Sequence, residues 1–320
     1  MSAGLVPASG ARRGACLAVD VGGTKLAAGV VEPSGWVRIV RQVPTPATTD
    51  ADALFAALCD LVDSVLLAAS AAAPSAGPTC CGIGCGGPID AAGRVSPLNI
   101  PAWRGFPLAE RLAEHTGLRT AVDNDAKAMA LAEGWCGAAA GATDFIAMVV
   151  STGVGGGIVL DGRLLDGAAG NAGHIGHVVV EPDGRRCACG GRGCLEAEAS
   201  GTAIRAATGR PADEAPLGVR ERTGRLVGRA VASVVNLLDL RLAVVGGSVA
   251  LGFGPEFFAA AEAELAERSR IEFAKGATIV PAGLGADAPI VGAAAVGWRA
   301  AATGAQTGIG CSPSPAPARR

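Results

Sequence analysis

The chain contains no tyrosine, and aromatic residues make up only 3% of its 320 positions. Nor is there an excess of basic charge: 27 Lys and Arg stand against 29 Asp and Glu, a formal net charge of −2. Nucleic acid and anionic membrane surfaces both select basic faces, so neither is expected as the main partner. No uninterrupted apolar run of membrane-spanning length occurs. The most apolar long segment, 56–73, is broken by Asp60 and Asp63 and reads as a packed helix. The opening residues MSAGLVPASGARR place their basic pair after a weakly apolar stretch, the reverse of a secretory signal. A cytoplasmic chain is therefore expected, with its ten cysteines mostly reduced. Cysteines that cluster under those conditions suggest a metal before a disulfide.

Glycine, by contrast, is abundant at 48 residues, and much of it is clustered, as it is where backbone turns tightly or approaches a ligand. Half the residues are apolar and 18% are charged, a globular composition with enough length for two domains. Residues 1–13 and the Pro- and Ser-rich tail 304–320 are expected to be disordered. Between them, 16–21 and 25–31 read as strands flanking the turn Gly22-Gly23-Thr24. Residues 145–151 and 158–160 repeat that design around the Gly-rich turn 152–157. Strands are also expected at 36–43, 80–85, 119–122, 242–245 and 278–281. Helices are expected at 51–72, 107–116, 126–136, 224–239, 255–269 and 292–302. Such alternation predicts an α/β fold, and two hairpin-led halves predict two similar lobes with a cleft between them. The expected division is 14–136 for the first lobe, with the last helix returning to it, and 137–291 for the second.

Three Gly-rich elements are candidates for phosphate and nucleotide. In Asp20-Val21-Gly22-Gly23-Thr24-Lys25, backbone N–H groups, a hydroxyl and a cation can meet phosphate oxygens, and Asp20 can hold Mg²⁺ through water. A plain hairpin turn after a buried strand would look similar, although a carboxylate at the end of an apolar strand is unusual without a partner. The second element is Thr152-Gly153-Val154-Gly155-Gly156-Gly157, following Ser151. The third, Gly246-Gly247-Ser248, could pack against a flat base or simply make a tight strand-to-helix turn. Their order is more specific than any one of them. Asp123-Asn124-Asp125 then follows a strand and opens a helix. One of the three would suffice as a cap, so a spare carboxylate there could accept the proton of an attacking hydroxyl. The strongest local signal is His177 followed by Cys187, Cys189 and Cys194 among glycines. This is the Cys₃His donor set of a closed, structural zinc site. Cys16, Cys59, Cys81, Cys85 and Cys136 read as core packing.

Taken in order, these elements resemble the ROK family of bacterial sugar kinases (repressors, open reading frames, kinases). The matching stretches are LAVDVGGTK, GIGCGGPID, VDNDAKA, VSTGVGGGIV, GNAGHIGHVVVEPDGRRCACGGRGCLEAEASG and VVGGSVA. The resemblance implies a two-lobed actin-like ATPase (ribonuclease H-like) fold with a zinc loop at 177–196. It implies ATP and Mg²⁺ as cofactors and transfer of the γ-phosphate to a hexose 6-hydroxyl. Asp125 would then be the base, with Asn99, Asn124, His174, His177 and Glu196 beside the sugar. Many glucokinases of the family carry Glu where this chain has His174. NAGHIGH, STGVGGG and GGSVA look more like its N-acetylmannosamine kinases, which makes N-acetylmannosamine or glucose the expected substrate, with another hexose such as fructose or N-acetylglucosamine as the alternative. A homodimer is the expected assembly. The family also includes sugar-responsive repressors, which need a helix-turn-helix ahead of the first phosphate loop, and the short stretch before Cys16 is not helical in pattern. A zinc-ribbon module would need two Cys pairs and a basic face. Other actin-like ATPases, of the acetate kinase or chaperone type, would lack the zinc loop.

Overall fold

The structure is a computed structural model that describes residues 5–6, 14–72, 77–90 and 92–303. Of the segments expected to be disordered, 304–320 and all of 1–13 except Leu5 and Val6 lie outside the described residues. Val6 departs from the expectation: it is buried against the core that holds Phe145 and Leu131. An apolar Leu-Val pair in an otherwise small and polar stretch finds a hydrophobic seat there.

Strands β1 (Ala15–Val21), β2 (Lys25–Val31), β3 (Val37–Pro44), β4 (Pro78–Cys85) and β5 (Thr120–Asn124) form one sheet, in the order β3-β2-β1-β4-β5. Strands β6 (Phe145–Val150), β7 (Val154–Leu160), β8 (Arg163–Leu164), β9 (Leu242–Gly246) and β10 (Thr278–Pro281) form the other, in the order β10-β9-β6-β7-β8. Taken from its β8 edge, the second sheet repeats the first strand for strand, with two antiparallel pairings followed by two parallel ones. The helices are α1 (Ala51–Ala72), α2 (Leu108–Thr116), α3 (Asp125–Cys136), α4 (Leu195–Ala199), α5 (Gly201–Thr208), α6 (Leu217–Leu238), α7 (Ser248–Phe253), α8 (Pro255–Arg268) and α9 (Ala288–Thr303).

Successive side chains of a strand point to opposite faces, and β1 shows what that does here. Leu17, Val19 and Val21 join Leu54, Leu58 and Val62 of α1 in an outer core. Cys16 and Ala18 face the other way, into a middle core with Leu131 of α3, Ala294 and Trp298 of α9, and Phe145 and Ala147 of β6. Ile146, Met148 and Val150 of β6 meet Val227, Val231, Phe257 and Leu265 of α6 and α8 in the other outer core. Helices α3 and α9 therefore lie between the two sheets, and the N-terminus of α3 belongs to both lobes. Helix α1 is long and apolar enough to cross a membrane by length and composition, yet its apolar face is buried in the first core, as expected of a packed helix.

Helix α9 packs on β1, β4 and β5, so the last described helix returns to the first sheet. The approach is close: a Cβ on Gly82 of β4 would lie 1.9 Å from the Ala293 carbonyl oxygen, so only glycine fits. The chain crosses between sheets twice, after α3 and again before α9. Glu133, fully buried, ties both crossings together. Its carboxylate accepts N–H bonds from Ala138 (2.7 Å) on the first, and from Gly283 (3.0 Å) and Leu284 (3.1 Å) on the second. Three charge-assisted bonds offset the cost of burying that charge.

Candidate active site

The first hairpin forms as expected. Gly22 N–H donates to the Lys25 carbonyl (3.0 Å), and the Thr45 hydroxyl donates to the Gly22 carbonyl (2.7 Å), which fixes the turn. Gly23, Thr24 and Lys25 are exposed at its tip. A Cβ on Gly23 would lie 2.5 Å from the Asn99 Cβ, so Asn99 stands directly against this loop. Asp20 sits one residue before the end of β1 and is only 9% exposed. Burial, and then the charge of Asp125, push its carboxyl up to about 7, with Lys25 opposing.

The three polar residues at the end of β5 divide their work. Asn124 is the N-cap of α3: its Oδ1 accepts from the Ala126 N–H (3.1 Å) and the Lys127 N–H (3.4 Å). Asp123 pairs with Lys127 (3.1 Å). Asp125 is left exposed at the start of α3, with one oxygen accepting from the Ala126 N–H (2.8 Å). Protein crowded around Asp125 pushes its carboxyl above the usual range, against its backbone hydrogen bonds and the nearby His174. Asp20 and Asp125 flank Gly84 at the end of β4: a Cβ there would lie 3.7 Å from Asp20 Oδ1 and 3.8 Å from Asp125 Cα.

The second hairpin differs from expectation. Its turn spans residues 151–153, and β7 already begins at Val154, so Val154, Gly155, Gly156 and Gly157 pair with β6 as strand residues. Their glycines serve close packing. A Cβ on Gly155 would lie 2.9 Å from the Ala126 Cβ, and one on Gly157 would lie 2.9 Å from the Lys127 Cα. Strand β7 thus lies flat on the first turn of α3, a contact that sequence periodicity does not reveal. Thr152 is exposed at the turn, and its carbonyl accepts from the Thr202 hydroxyl (2.9 Å) at the start of α5. Ser151 shares a hydrogen bond with Ser248 (2.9 Å), which brings Gly246-Gly247 beside that turn. Gly247 adopts φ +95° against the Val150 carbonyl. Gly246 backs onto Met129 of α3.

His177, Cys187, Cys189 and Cys194 converge, with their donor atoms all within 4.8 Å of one another. Ligands about 2.3 Å from a tetrahedral zinc stand about 3.8 Å apart. The Cys189–Cys194 sulfurs and the Cys187 Sγ–His177 Nδ1 pair are each 3.7 Å apart, so the donor set fits zinc in type, number and spacing. Buried Glu198 anchors the base of this loop, accepting from the Arg185 N–H (2.6 Å) and the Arg222 guanidinium (2.7 Å). Glu196, two residues past Cys194, reaches the second hairpin, where its Oε2 accepts from the Val154 N–H (2.9 Å). His174 is exposed and lies over His177, with ring centroids 6.1 Å apart. Protein packed on one side of the ring, and then His177, lower its pKa from the ordinary value. The Glu196 contact joins the Cys₃His loop to the Gly-rich hairpin. Glu133, Glu198, Lys127 and Asp166 are missing from the sequence expectations because each has a partner that is remote in sequence.

Asp20 provides a stability test. A carboxyl with a raised folded-state value contributes stability that is fully present below about pH 4 and lost as the pH rises to about 7. Without Mg²⁺ and nucleotide, Asp20→Asn should raise Tm by about 5 °C at pH 8 and leave it unchanged at pH 4. Equal shifts at the two pH values would remove the buried charge as the cause.

Duplicated sheets of one topology, with a hairpin from each facing a common helix terminus, are the two-lobed actin-like ATPase fold. The ROK family model matches residues 16–299, and the chain belongs to that family. It is 39% identical over 253 residues to an N-acetylmannosamine kinase of Citrobacter koseri, a match that covers 74% of this chain and 84% of the relative. Among solved structures it resembles the ROK hexokinase of Thermus thermophilus, with a TM-score of 0.77, 33% identity, and coverage of 89% of this chain and 98% of that one. It also resembles a ROK glucokinase of Streptomyces griseus in complex with glucose and AMPPNP, with a TM-score of 0.75, 30% identity, and coverage of 89% and 100%.

Proposed function

We propose that the chain is an ATP-dependent hexose kinase that transfers the γ-phosphate to a sugar 6-hydroxyl, with N-acetylmannosamine as leading substrate and glucose second. The observation that carries this reading is the meeting of Asp125, Asp20 and both hairpins at one end of α3. In the reaction, O6 attacks the γ-phosphorus, its proton passes to the Asp125 carboxylate, and the bond to the β-phosphate oxygen breaks to release ADP. Asn99, Asn124, His174, His177 and Glu196 would orient the sugar. Asp20, Gly22, Gly23, Thr24, Lys25 and the segment 152–157 would hold the phosphates, and Gly246 and Gly247 the base. Asp20 would hold Mg²⁺ through water, and the ion when bound neutralises phosphate charge. Zinc on His177 and the three cysteines would hold the sugar loop in shape without taking part in transfer. As a metabolic kinase, it would work in the cytoplasm.

The sugar preference rests on His174 and on the similarity to N-acetylmannosamine kinases. A carboxylate at that position accepts from two hydroxyls, whereas a neutral imidazole can also donate to an acetamido carbonyl. A coupled ADP-release assay over hexoses and amino sugars tests this. Wild type should favour N-acetylmannosamine in kcat/KM, and His174→Glu should shift the ratio toward glucose by about tenfold. A wild type that strongly prefers glucose, with its ratio unmoved in His174→Glu, would remove His174 from specificity.

A further inference from the structure

We propose that Lys127 is the positioning residue for the sugar side of the site, acting through Asp166 to hold segment 166–174 in register with Asp125. This rests on the kinase reading for its kinetic consequence, but not for its structural one.

Segment 166–174 reads DGAAGNAGH, and among its residues Gly167, Gly170 and Gly173 all have positive φ. It forms no helix or strand and ends in His174, three residues before His177. Glycines in such a run leave the unanchored chain many conformations. Something must hold it, and the structure shows what does. Lys127, 2% exposed on α3, has a side chain with three donors, and three acceptor oxygens surround it. Its Nζ lies 2.8 Å from Asp166 Oδ1, 3.0 Å from the Gly170 carbonyl and 3.1 Å from Asp123 Oδ1. Arg299 of α9 closes the ring, 3.0 Å from Asp166 and 3.8 Å from Asp123. Further along, Asn171 exchanges hydrogen bonds with Ile89 of the first lobe: its Oδ1 accepts from the Ile89 N–H (3.5 Å) and its Nδ2 donates to the Ile89 carbonyl (3.3 Å).

Two features set this apart from a surface ion pair of little consequence. The ammonium is buried, so its bonds are not exchanged freely for water. Lys127 and both carboxylates also lie on elements that carry the site or lead into it. Asp123 immediately precedes the Asn124 cap, and Lys127 lies two residues past Asp125. Asp166 opens the stretch that leads to His174. Lys127 and Arg299 hold the Asp166 carboxyl below its ordinary range against the opposing effect of burial.

Lys127→Met would strand two carboxylates and could fail to fold, so Asp166, whose side chain is 50% exposed, carries the test. Asp166→Asn keeps an oxygen for Lys127 but removes the charge. The expected result is a sugar KM raised about tenfold with ATP KM and zinc content unchanged. Hydrogen exchange should quicken at amides 167–175 while protection at 186–194 and in α3 stays as in wild type. Unchanged exchange at 167–175 would overturn the proposal. So would faster exchange spread over α3 and β6 with both KM values rising together, or faster exchange with an unmoved sugar KM. Absence of turnover with every sugar, in wild type too, would defeat the kinase reading and leave the exchange result to decide Lys127.

Discussion

Asp125→Asn should lower kcat by about 10²–10⁴-fold while leaving the KM values for sugar and ATP within about threefold. Asparagine has nearly the same volume, and its carbonyl oxygen can keep the bond that Asp125 accepts from the Ala126 N–H at 2.8 Å. What disappears is an oxygen able to take a proton. The other carboxyl oxygen, Oδ2, points toward Gly86, where an added Cβ would lie 3.5 Å away, and so stands at the open end of β4. Crowding by protein raises the proton affinity of this carboxyl, which favours a base over a bystander. A kcat near wild type in Asp125→Asn would reject Asp125 as the base and return the role to another group in the cleft.

The second large effect concerns the metal. Cys189→Ser should abolish stoichiometric zinc and raise the sugar KM by more than about tenfold, because the loop that would hold the metal also carries Glu196. Cys194 opens α4, and Glu196 lies in its first turn, with its carboxylate fixed to the Val154 N–H. A loop without its fourth ligand loses that register even where Glu198 still holds its base through Arg185 and Arg222. Elemental analysis and substrate kinetics on the same preparation check the point. Less than about a tenth of an equivalent of zinc in freshly purified wild type would refute the Cys₃His assignment. Full sugar affinity in a zinc-free Cys189→Ser protein would uncouple the metal from the sugar.

Much of the fold is legible because its strands are short apolar runs punctuated by glycine. The expected 25–31, 51–72 and 278–281 coincide with β2, α1 and β10. The chain is harder to read where composition masks periodicity. Helix α6 starts at Leu217 and not near Gly224, because its first turns, containing Arg220, Glu221 and Arg222, present no apolar stripe. Helices α4, α5 and α7 are five to eight residues long and hidden among glycines. At the site, the donor set at 177–194 was readable from residue type alone. The role of Gly155 and Gly157 was not, since their need for glycine comes from α3, which is distant in sequence. Lys127 and Asp166 escaped for the same reason: an ion pair between distant segments is a property of both, and neither segment announces it.

The most direct test of the central claim is to incubate the protein with Mg²⁺, ATP and N-acetylmannosamine and follow the phosphorus by NMR. The predicted result is a phosphomonoester at the sugar 6-position, growing in step with ADP. Release of the γ-phosphate only as inorganic phosphate, with no sugar tested becoming esterified, would contradict it.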